Sequence, residues 1–182
     1  MPTSIRTGSG SVASAAPHFR SPLPAAAGNY VGGQGGVVAI QDASASRKWR
    51  CVGTPQAVAL GRAAVEGERI AFSVSPDEWM VLDAPGSVAP PSPAGIRIVE
   101  ITHLRAALRI SGAHAPPLLA RLCSLDLTER MFPSGAAART LVAKVATEIV
   151  RDDRDGRSSY LLLVSRSFGR YLFDAVANAA AT

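Results

Sequence analysis

The segment YLLLVSRSFGRYLFDAVANAA, residues 160–180, contains both kinds of element that decide the fold class. Residues 160–164 are apolar on both alternating faces, which is typical of a central, buried strand. After it, apolar residues recur at intervals of three and four, which predicts a closing helix with this buried stripe: Phe168, Tyr171, Leu172, Ala175, Val176 and Ala179. Ser167 is placed to cap that helix, and Arg170 with Asp174 is spaced for an i,i+4 ion pair.

A hairpin is predicted immediately before the central strand. Val145, Thr147 and Ile149 alternate with polar residues, as expected for a strand that is buried on one face. The loop that follows contains Asp155-Gly156, a dipeptide that favours a tight turn between antiparallel strands. Residues 145–164 are therefore predicted to pair with each other.

Further upstream, residues 104–111 alternate between an apolar face and a face that carries Arg105 and Arg109. Gly112 follows, and a helix is predicted through Cys123, because two prolines fit its first turn. With a short strand at 140–143, residues 96–182 are predicted as strand, strand, helix, strand, strand, strand, helix. This order indicates an α+β fold, a ferredoxin-like lobe with helices on an antiparallel sheet.

A smaller α+β lobe of antiparallel strands is predicted for residues 37–83. Residues 37–40 and 48–52 are expected to pair, and residues 56–64 have the composition of a helix. Two more apolar runs flank Ser75-Pro76-Asp77-Glu78, which predicts a tight turn. Residues 84–95 contain four prolines and are predicted to be a linker between the two lobes.

Residues 1–36 are rich in Ser, Ala, Gly and Pro and contain few large apolar side chains. Such a segment buries too little surface to offset the entropy lost on ordering. It is therefore predicted to be disordered, or extended over a partner, and regular structure is expected to begin at Val37.

The composition excludes several classes of function. The net charge of +5 is spread along the chain without a basic tract, and aromatic residues are only 5%, so we expect no nucleic-acid binding. Charged residues amount to 18%, below the usual quarter, which indicates either a surface covered by a partner or simply an alanine-rich composition.

The location of the protein is predicted from three absences. No apolar run approaches the length of a membrane span, and the N-terminus lacks the pattern of a secretory signal. Cys51 and Cys123 have no metal-ligand spacing and are expected to be buried thiols in a reducing compartment. We therefore expect a cytoplasmic protein that does not associate with membranes.

Candidate catalytic residues are few. The three histidines, His18, His103 and His114, show no metal-ligand spacing, and neither a nucleophile elbow nor a dinucleotide-binding fingerprint is present. The carboxylates at 152–155 are interpreted as a solvated hairpin tip and not as a calcium site. Asp126, directly after a predicted helix, either caps the next turn or accepts a hydrogen bond from a ligand amine.

Five motifs, in the same order and spacing, resemble the gamma subunit of heterotetrameric sarcosine oxidase. They are Ser75–Leu82 (SPDEWMVL), Leu108–Ala115 (LRISGAHA), Cys123–Leu127 (CSLDL), Phe132–Gly135 (FPSG) followed by Arg139–Leu141 (RTL), and Arg166–Phe168 (RSF) with Tyr171–Leu172. The resemblance covers about residues 70–177. It implies a fold similar to the N-terminal part of the glycine-cleavage aminomethyltransferases.

The resemblance also implies a function. The chain is expected to be an accessory, non-catalytic gamma subunit, inactive alone, that works with alpha, beta and delta subunits. The complex would demethylate sarcosine oxidatively to glycine, with one-carbon transfer to tetrahydrofolate and production of hydrogen peroxide. FAD, FMN, NAD and tetrahydrofolate are expected in the partner subunits, and no cofactor is expected on this chain alone.

Asp126 is similar in position to the aspartate that contacts folate in the aminomethyltransferases, but Leu125 replaces the expected Asn. We therefore expect Asp126 to be a structural remnant and the only candidate cofactor-binding residue. The alternative is a free-standing, folate-binding protein of the aminomethyltransferase type. If the chain is a subunit, the expected partner contacts are the N-terminal segment, Phe132, and the face that carries Arg105 and Arg109.

Overall fold

The computed structural model describes residues 20–24, 28–31, 37–54 and 57–181. These residues form two antiparallel sheets. Sheet A has six strands, in spatial order β1 (Gly28–Val31), β2 (Val37–Asp42), β8 (Arg105–Ser111), β11 (Ser159–Ser165), β10 (Val145–Arg151) and β9 (Ala137–Val142). Sheet B has five, in spatial order β4 (Ala63–Glu66), β5 (Arg69–Ser75), β6 (Glu78–Asp83), β3 (Arg47–Val52) and β7 (Arg97–Glu100).

Two helices, α1 (Ala115–Ala120) and α2 (Gly169–Ala181), pack on one face of sheet A. Two 3-10 turns, Thr102–Leu104 and Arg166–Phe168, lead into β8 and α2 respectively. The predicted α+β class is confirmed, and so is the predicted order of elements from residue 96 to the end of the chain.

The core is divided into three layers. Between the helices and sheet A, strands β8, β10 and β11 contribute large apolar side chains such as Leu108, Ile149 and Leu162. The opposite face of sheet A packs on sheet B through Phe72, Leu161 and others. The third layer lies on the outer face of sheet B and consists of Trp49, Cys51, Trp79, Val81 and Ile96.

Both predicted turns are confirmed. In the turn between β5 and β6, Asp77 has a positive φ of 54°. In the hairpin between β10 and β11, Asp155 and Gly156 have φ values of 52° and 70°. Two successive positive φ angles give a type I′ turn, whose twist matches that of the strands.

The two predicted lobes are interleaved in the structure. β2 pairs with β8 in sheet A and not with β3, whereas β7 pairs with β3 in sheet B. Residues 84–95 therefore connect two strands of the same sheet and do not separate two lobes. The end of this segment lies on the third core layer, where the Ile96 N–H donates to the Pro93 carbonyl (3.1 Å).

A corner after β2 explains why β2 and β3 do not pair. The Ala43 N–H donates to the Ala107 carbonyl of sheet A (2.9 Å), and the Asp42 carboxylate accepts the Ser44 N–H (2.8 Å). These bonds turn the chain away from sheet A before β3 begins. The expected hairpin of residues 37–40 with 48–52 is therefore wrong.

The helix expected over residues 56–64 is also wrong. Residues 57–62 form a loop, which leads into β4, and Gly61 adopts a φ of 75° within it. The Gly61 N–H donates to the Ser73 carbonyl, and its carbonyl accepts the Ala137 N–H, both at 2.9 Å. Because these backbone groups bond to strands of both sheets, they are not available for helical hydrogen bonds.

Regular structure begins before Val37, contrary to expectation. β1 pairs along β2, and Leu23 is buried in the core between sheet A and the helices. Of residues 1–36, the structure describes 20–24 and 28–31. The others, including His18, lie outside the described residues.

The buried stripe of α2 is rotated relative to the predicted one. Gly169, Leu172, Phe173, Val176 and Ala180 are buried, whereas Phe168 and Tyr171 are 49% and 51% exposed. The reason is Gly169, where an added Cβ would lie 2.8 Å from the Ala106 Cβ. This close approach turns the glycine side of the helix toward the sheet.

The helix cap predicted at Ser167 is wrong. Ser167 lies inside the 3-10 turn that precedes the helix, and α2 begins at Gly169. The predicted ion pair between Arg170 and Asp174 is confirmed, at 2.9 Å.

Candidate functional site

The basic face of β8 lies between the two sheets. Arg109 has a side chain that is 13% exposed, and its Nη1 donates to the Asp152 carboxylate (2.9 Å) and to the Ser159 hydroxyl (2.7 Å). Arg154 donates through Nε to the same Asp152 oxygen (2.8 Å). Burial lowers the pKa of Arg109, and the nearby charge of Arg154 lowers it further.

Arg105 makes an equivalent pair farther along β8. It forms an ion pair with Glu148, which also accepts from Arg139 at 3.1 Å. Burial lowers the pKa of Arg105. Because Arg105 and Arg109 are paired inside the molecule, the expectation that they form an exposed contact face is wrong.

A cleft of about 400 Å³ opens beside Arg109, where the edges of the sheets diverge. Its lining contains both signs of charge and several hydroxyl groups: Gln41, Asp42, Ala43, Ser46, Glu68, Ile70, Leu82, Arg109, Ser111, Arg154, Asp155, Arg157, Ser159 and Leu161. The three arginines are balanced by three carboxylates, so the cleft has no strong preference for one sign of ligand charge.

Lys48 is fully buried near this cleft. Its ammonium donates to the carbonyls of Ser44 (2.7 Å) and Ser46 (2.8 Å), which secures the corner between β2 and β3. Burial lowers its pKa to about 8, although the Asp42 carboxylate opposes this shift. The sequence analysis missed Lys48, because lysines are almost never fully buried and the RKWRCV segment reads as a charged strand.

A second charged cluster ties the β10–β11 hairpin to the loop before β9. Arg151 bonds the Asp153 carboxylate through Nε and Nη2 (3.1 and 2.9 Å) and the Phe132 carbonyl through Nη1 (2.8 Å). Phe132 itself is buried, so its expected role as a partner contact is wrong. The expected solvated hairpin tip is wrong for Asp152 and Asp153, whereas Asp155 is exposed as expected.

Asp126 caps a turn. Its carboxylate accepts the Thr128 N–H (2.9 Å), and this bond lowers the pKa of the exposed carboxyl group. The capping interpretation is therefore confirmed.

The other singled-out residues lie apart from one another. His103 is in the 3-10 turn before β8, and His114 precedes α1. Both cysteines are free thiols, and burial raises the pKa of Cys51 to about 11. Within the described ranges, no three His, Cys, Asp or Glu residues are grouped to hold a metal ion.

An exposed apolar surface lies at the start of α2. Leu104, Phe168 and Tyr171 are 63%, 49% and 51% exposed. Leu104 also lines a shallow surface hollow, together with Pro22, His103, Ser165, Arg166 and Ser167. All three were predicted to lie on buried faces. For Phe168 and Tyr171, Gly169 was the sequence signal that a different side of the helix faces the sheet.

Comparisons with known proteins agree with this architecture. The chain is 28% identical to the sarcosine oxidase subunit gamma of Corynebacterium sp. (strain P-1) over 144 residues, which are 76% of this chain and 66% of that protein. The match thus spans just under two thirds of the relative's length. No family model matches the chain.

Two solved structures share the fold. One is a heterotetrameric sarcosine oxidase from Corynebacterium sp. U-96 in complex with pyrrole 2-carboxylate, with a TM-score of 0.67, 18% identity, and coverage of 84% of this chain and 90% of that chain. The other is the glycine cleavage system aminomethyltransferase T from Bartonella henselae, with a TM-score of 0.59, 12% identity, and coverage of 79% and 46%. The resemblance to the gamma subunit and to the aminomethyltransferase fold is thereby confirmed.

Proposed function

We propose that this chain is an accessory, non-catalytic subunit of a heterotetrameric sarcosine oxidase. The observation that carries the proposal is the structural match, which extends over 90% of one chain of such an oxidase. The sequence relative bears the name of the gamma subunit of the same enzyme. The structural match names the enzyme, and the sequence relative adds the subunit type.

The partners in this proposal are the alpha, beta and delta subunits of the complex. Those subunits hold the FAD, FMN, NAD and tetrahydrofolate. The complex demethylates sarcosine to glycine, transfers the one-carbon unit to tetrahydrofolate and produces hydrogen peroxide. The complex is cytoplasmic; in keeping with this, no helix in the described part of the chain has the length and apolarity needed to cross a membrane.

The geometry supports a role in assembly. Charged side chains of sheet A pair with one another across its strands, as in Arg105–Glu148 and Arg109–Asp152. These two pairs tie β8 to β10 and to the residue that follows β10. A sheet held together in this way supplies a preformed surface to a partner at little entropic cost.

The second candidate is a free-standing, folate-binding protein, and the similarity to aminomethyltransferase T favours it. That match, however, extends over 46% of the transferase, against 90% for the oxidase chain. Asp126, the residue that this candidate requires, is exposed and caps a turn. The accessory subunit is therefore the better proposal.

The test is to co-express the tagged chain with the alpha, beta and delta subunits from the same organism and to purify on the tag. We expect a yellow complex of four chains that oxidises sarcosine, because the flavins arrive with the partners. A colourless monomer after co-expression would contradict the proposal.

The second candidate is tested on the same material. The isolated chain is titrated with tetrahydrofolate, and Asp126→Ala is the matched variant. We expect no saturable binding by either protein. Saturable binding that is lost in Asp126→Ala would establish the folate-binding alternative.

A further inference from the structure

Three large apolar side chains are exposed around the start of α2. Leu104 lies at the end of the 3-10 turn before β8, and residues 165–167 line the same hollow. Phe168 follows directly, at the end of the second 3-10 turn, and Tyr171 lies three residues later in the first turn of α2. Single exposed apolar residues are ordinary, but a contiguous group commonly marks an interaction site. We name this group, Leu104, Phe168 and Tyr171, the apolar corner.

The apolar corner is held rigidly by contacts beneath it. Gly169 packs against Ala106 and Leu23, which fixes the rotation of α2. The Tyr171 hydroxyl donates to the Ala143 carbonyl (3.0 Å), so its ring stays at the surface. Because the rings are already positioned, docking on them costs little conformational entropy.

The charge around the apolar corner is positive. The lining of the hollow includes Arg166 and no carboxylate. Arg20, whose carbonyl accepts from Arg166, is exposed beside it. Apolar side chains within a basic rim are complementary to apolar side chains within an acidic rim.

We propose that the apolar corner docks a partner subunit of the oxidase complex, at a site where that subunit presents apolar side chains bordered by carboxylates. This inference rests on the proposed function and adds the surface through which the chain assembles. A second copy of this chain fits less well. In a symmetric dimer the two basic rims would face each other, and like charges in an interface repel.

The experiment uses the complete complex with Leu104→Glu and Phe168→Glu, each co-expressed with the partner subunits. Each change places a carboxylate where the partner is proposed to present its own. We expect roughly 30-fold weaker association, the size of effect found for side chains central to an interface. Leu104→Ala and Phe168→Ala, which add no charge, should weaken association less.

The matched control is Val88→Glu. Val88 is 79% exposed and lies in the Pro-rich segment on the sheet B side of the molecule, away from α2. The same change in charge at this position should leave association unchanged. Thermal unfolding of each isolated chain shows whether the variants fold, and we expect unchanged midpoints because all three side chains are exposed.

The outcomes distinguish this inference from the proposed function. If the wild-type chain and both glutamate variants assemble equally well, the docking surface is wrong and the proposed function stands. If the wild-type chain does not assemble at all, both are wrong. If the isolated wild-type chain forms a dimer that both variants abolish, the occupant is a second copy and the inference is overturned.

The basic rim is tested separately with Arg20→Glu. We expect slower association with the partner and a smaller effect of added salt than for the wild-type chain, because charged rims act mainly on the association rate. If the association of Arg20→Glu depended on salt as strongly as that of the wild-type chain, the proposed carboxylates on the partner surface would be wrong.

Discussion

The two faces of sheet A bury side chains in different ways. Toward the helices, Leu162 of β11 lies between Leu108 and Ile149 on the neighbouring strands. Toward sheet B, the adjacent residue Leu161 lies between Arg109 and Val150. One face is closed and apolar, whereas the other is apolar in the middle and charged at its ends, with a cleft beside Arg109.

The two faces of sheet A are therefore stabilised by different interactions. The helix-covered face depends on burial of apolar surface, which is worth about 25 cal/mol per Å². The face on sheet B also buries large apolar side chains, such as Phe72 and Leu161, and adds ion pairs at its ends. Buried ion pairs add little net stability, but breaking one is costly. The second face should therefore be sensitive to lost charge as well as to lost volume.

The largest effect is expected from Leu162→Ala. Both Leu162 and Leu161 are fully buried, yet Leu161 also lines the cleft. The hole left by Leu162→Ala is closed and dry, and it should lower the free energy of unfolding by about 4 kcal/mol. Leu161→Ala opens into the cleft, where water can enter, and should cost about 2–3 kcal/mol. Urea unfolding measures both, and equal losses would show that the two faces do not differ.

The next effect concerns charge. Asp152→Ala leaves the buried Arg109 without its carboxylate partner, and it should lower the free energy of unfolding by about 3 kcal/mol. The control is Asp174→Ala, which breaks the exposed pair with Arg170 and should cost less than about 0.5 kcal/mol. If both variants lowered the free energy of unfolding by similar amounts, the ion pairs at the ends of the interface between the two sheets would be effectively solvated.

The smallest effect is a pH dependence from Lys48. Its folded pKa, about 8, lies below the ordinary 10.5, because burial disfavours the charged amine. Between these values the unfolded chain holds a proton that the folded chain has lost, so stability from this residue rises with pH across that window. Below it, the cost of the buried charge is present in full. From about pH 7.5 to about pH 9.5, the gain should be about 2 kcal/mol.

Lys48→Met is the matched variant for this measurement. It keeps the buried length of the side chain but removes the titrating group, so the pH-dependent gain should disappear. Other groups near Lys48, Asp42, Arg105 and Arg166, stay in place in both proteins, and so does Cys51, whose raised pKa acts in the opposite direction. A slope that is the same in wild type and variant would assign the pH dependence elsewhere.

Pairings between strands that are neighbours in sequence were predicted better than pairings between distant strands. Turn dipeptides such as Asp155-Gly156 make the hairpins of neighbouring strands readable. In contrast, β2 pairs with β8 in sheet A, and β3 pairs with β6 and β7 in sheet B, across long stretches of chain. Local patterns carry no information on such pairings, so β3 was assigned to the wrong neighbour.

The candidate site residues also differ in whether their environment depends on local or on distant parts of the chain. The cap made by Asp126 needs only its own turn and Thr128, and the sequence indicated it. The environment of Arg105 and Arg109 depends on Glu148 and Asp152, which are 43 residues from their partners. An alternating apolar and basic pattern is the same for a solvated strand as for one whose arginines are buried against acids of another strand.

By itself, the sequence determined the α+β class, the order of elements from residue 96 onward, the two tight turns and the resemblance to the gamma subunit. Each of these depends on residue periodicity, turn chemistry or motif spacing, which are local properties. The tertiary structure alone decided which strands share a sheet, that Lys48 is buried, and that Phe168 and Tyr171 face outward. These depend on contacts between segments that are distant in sequence. For example, α2 approaches β8 closely only where Gly169 faces Ala106, and this contact selects which side of the helix is buried.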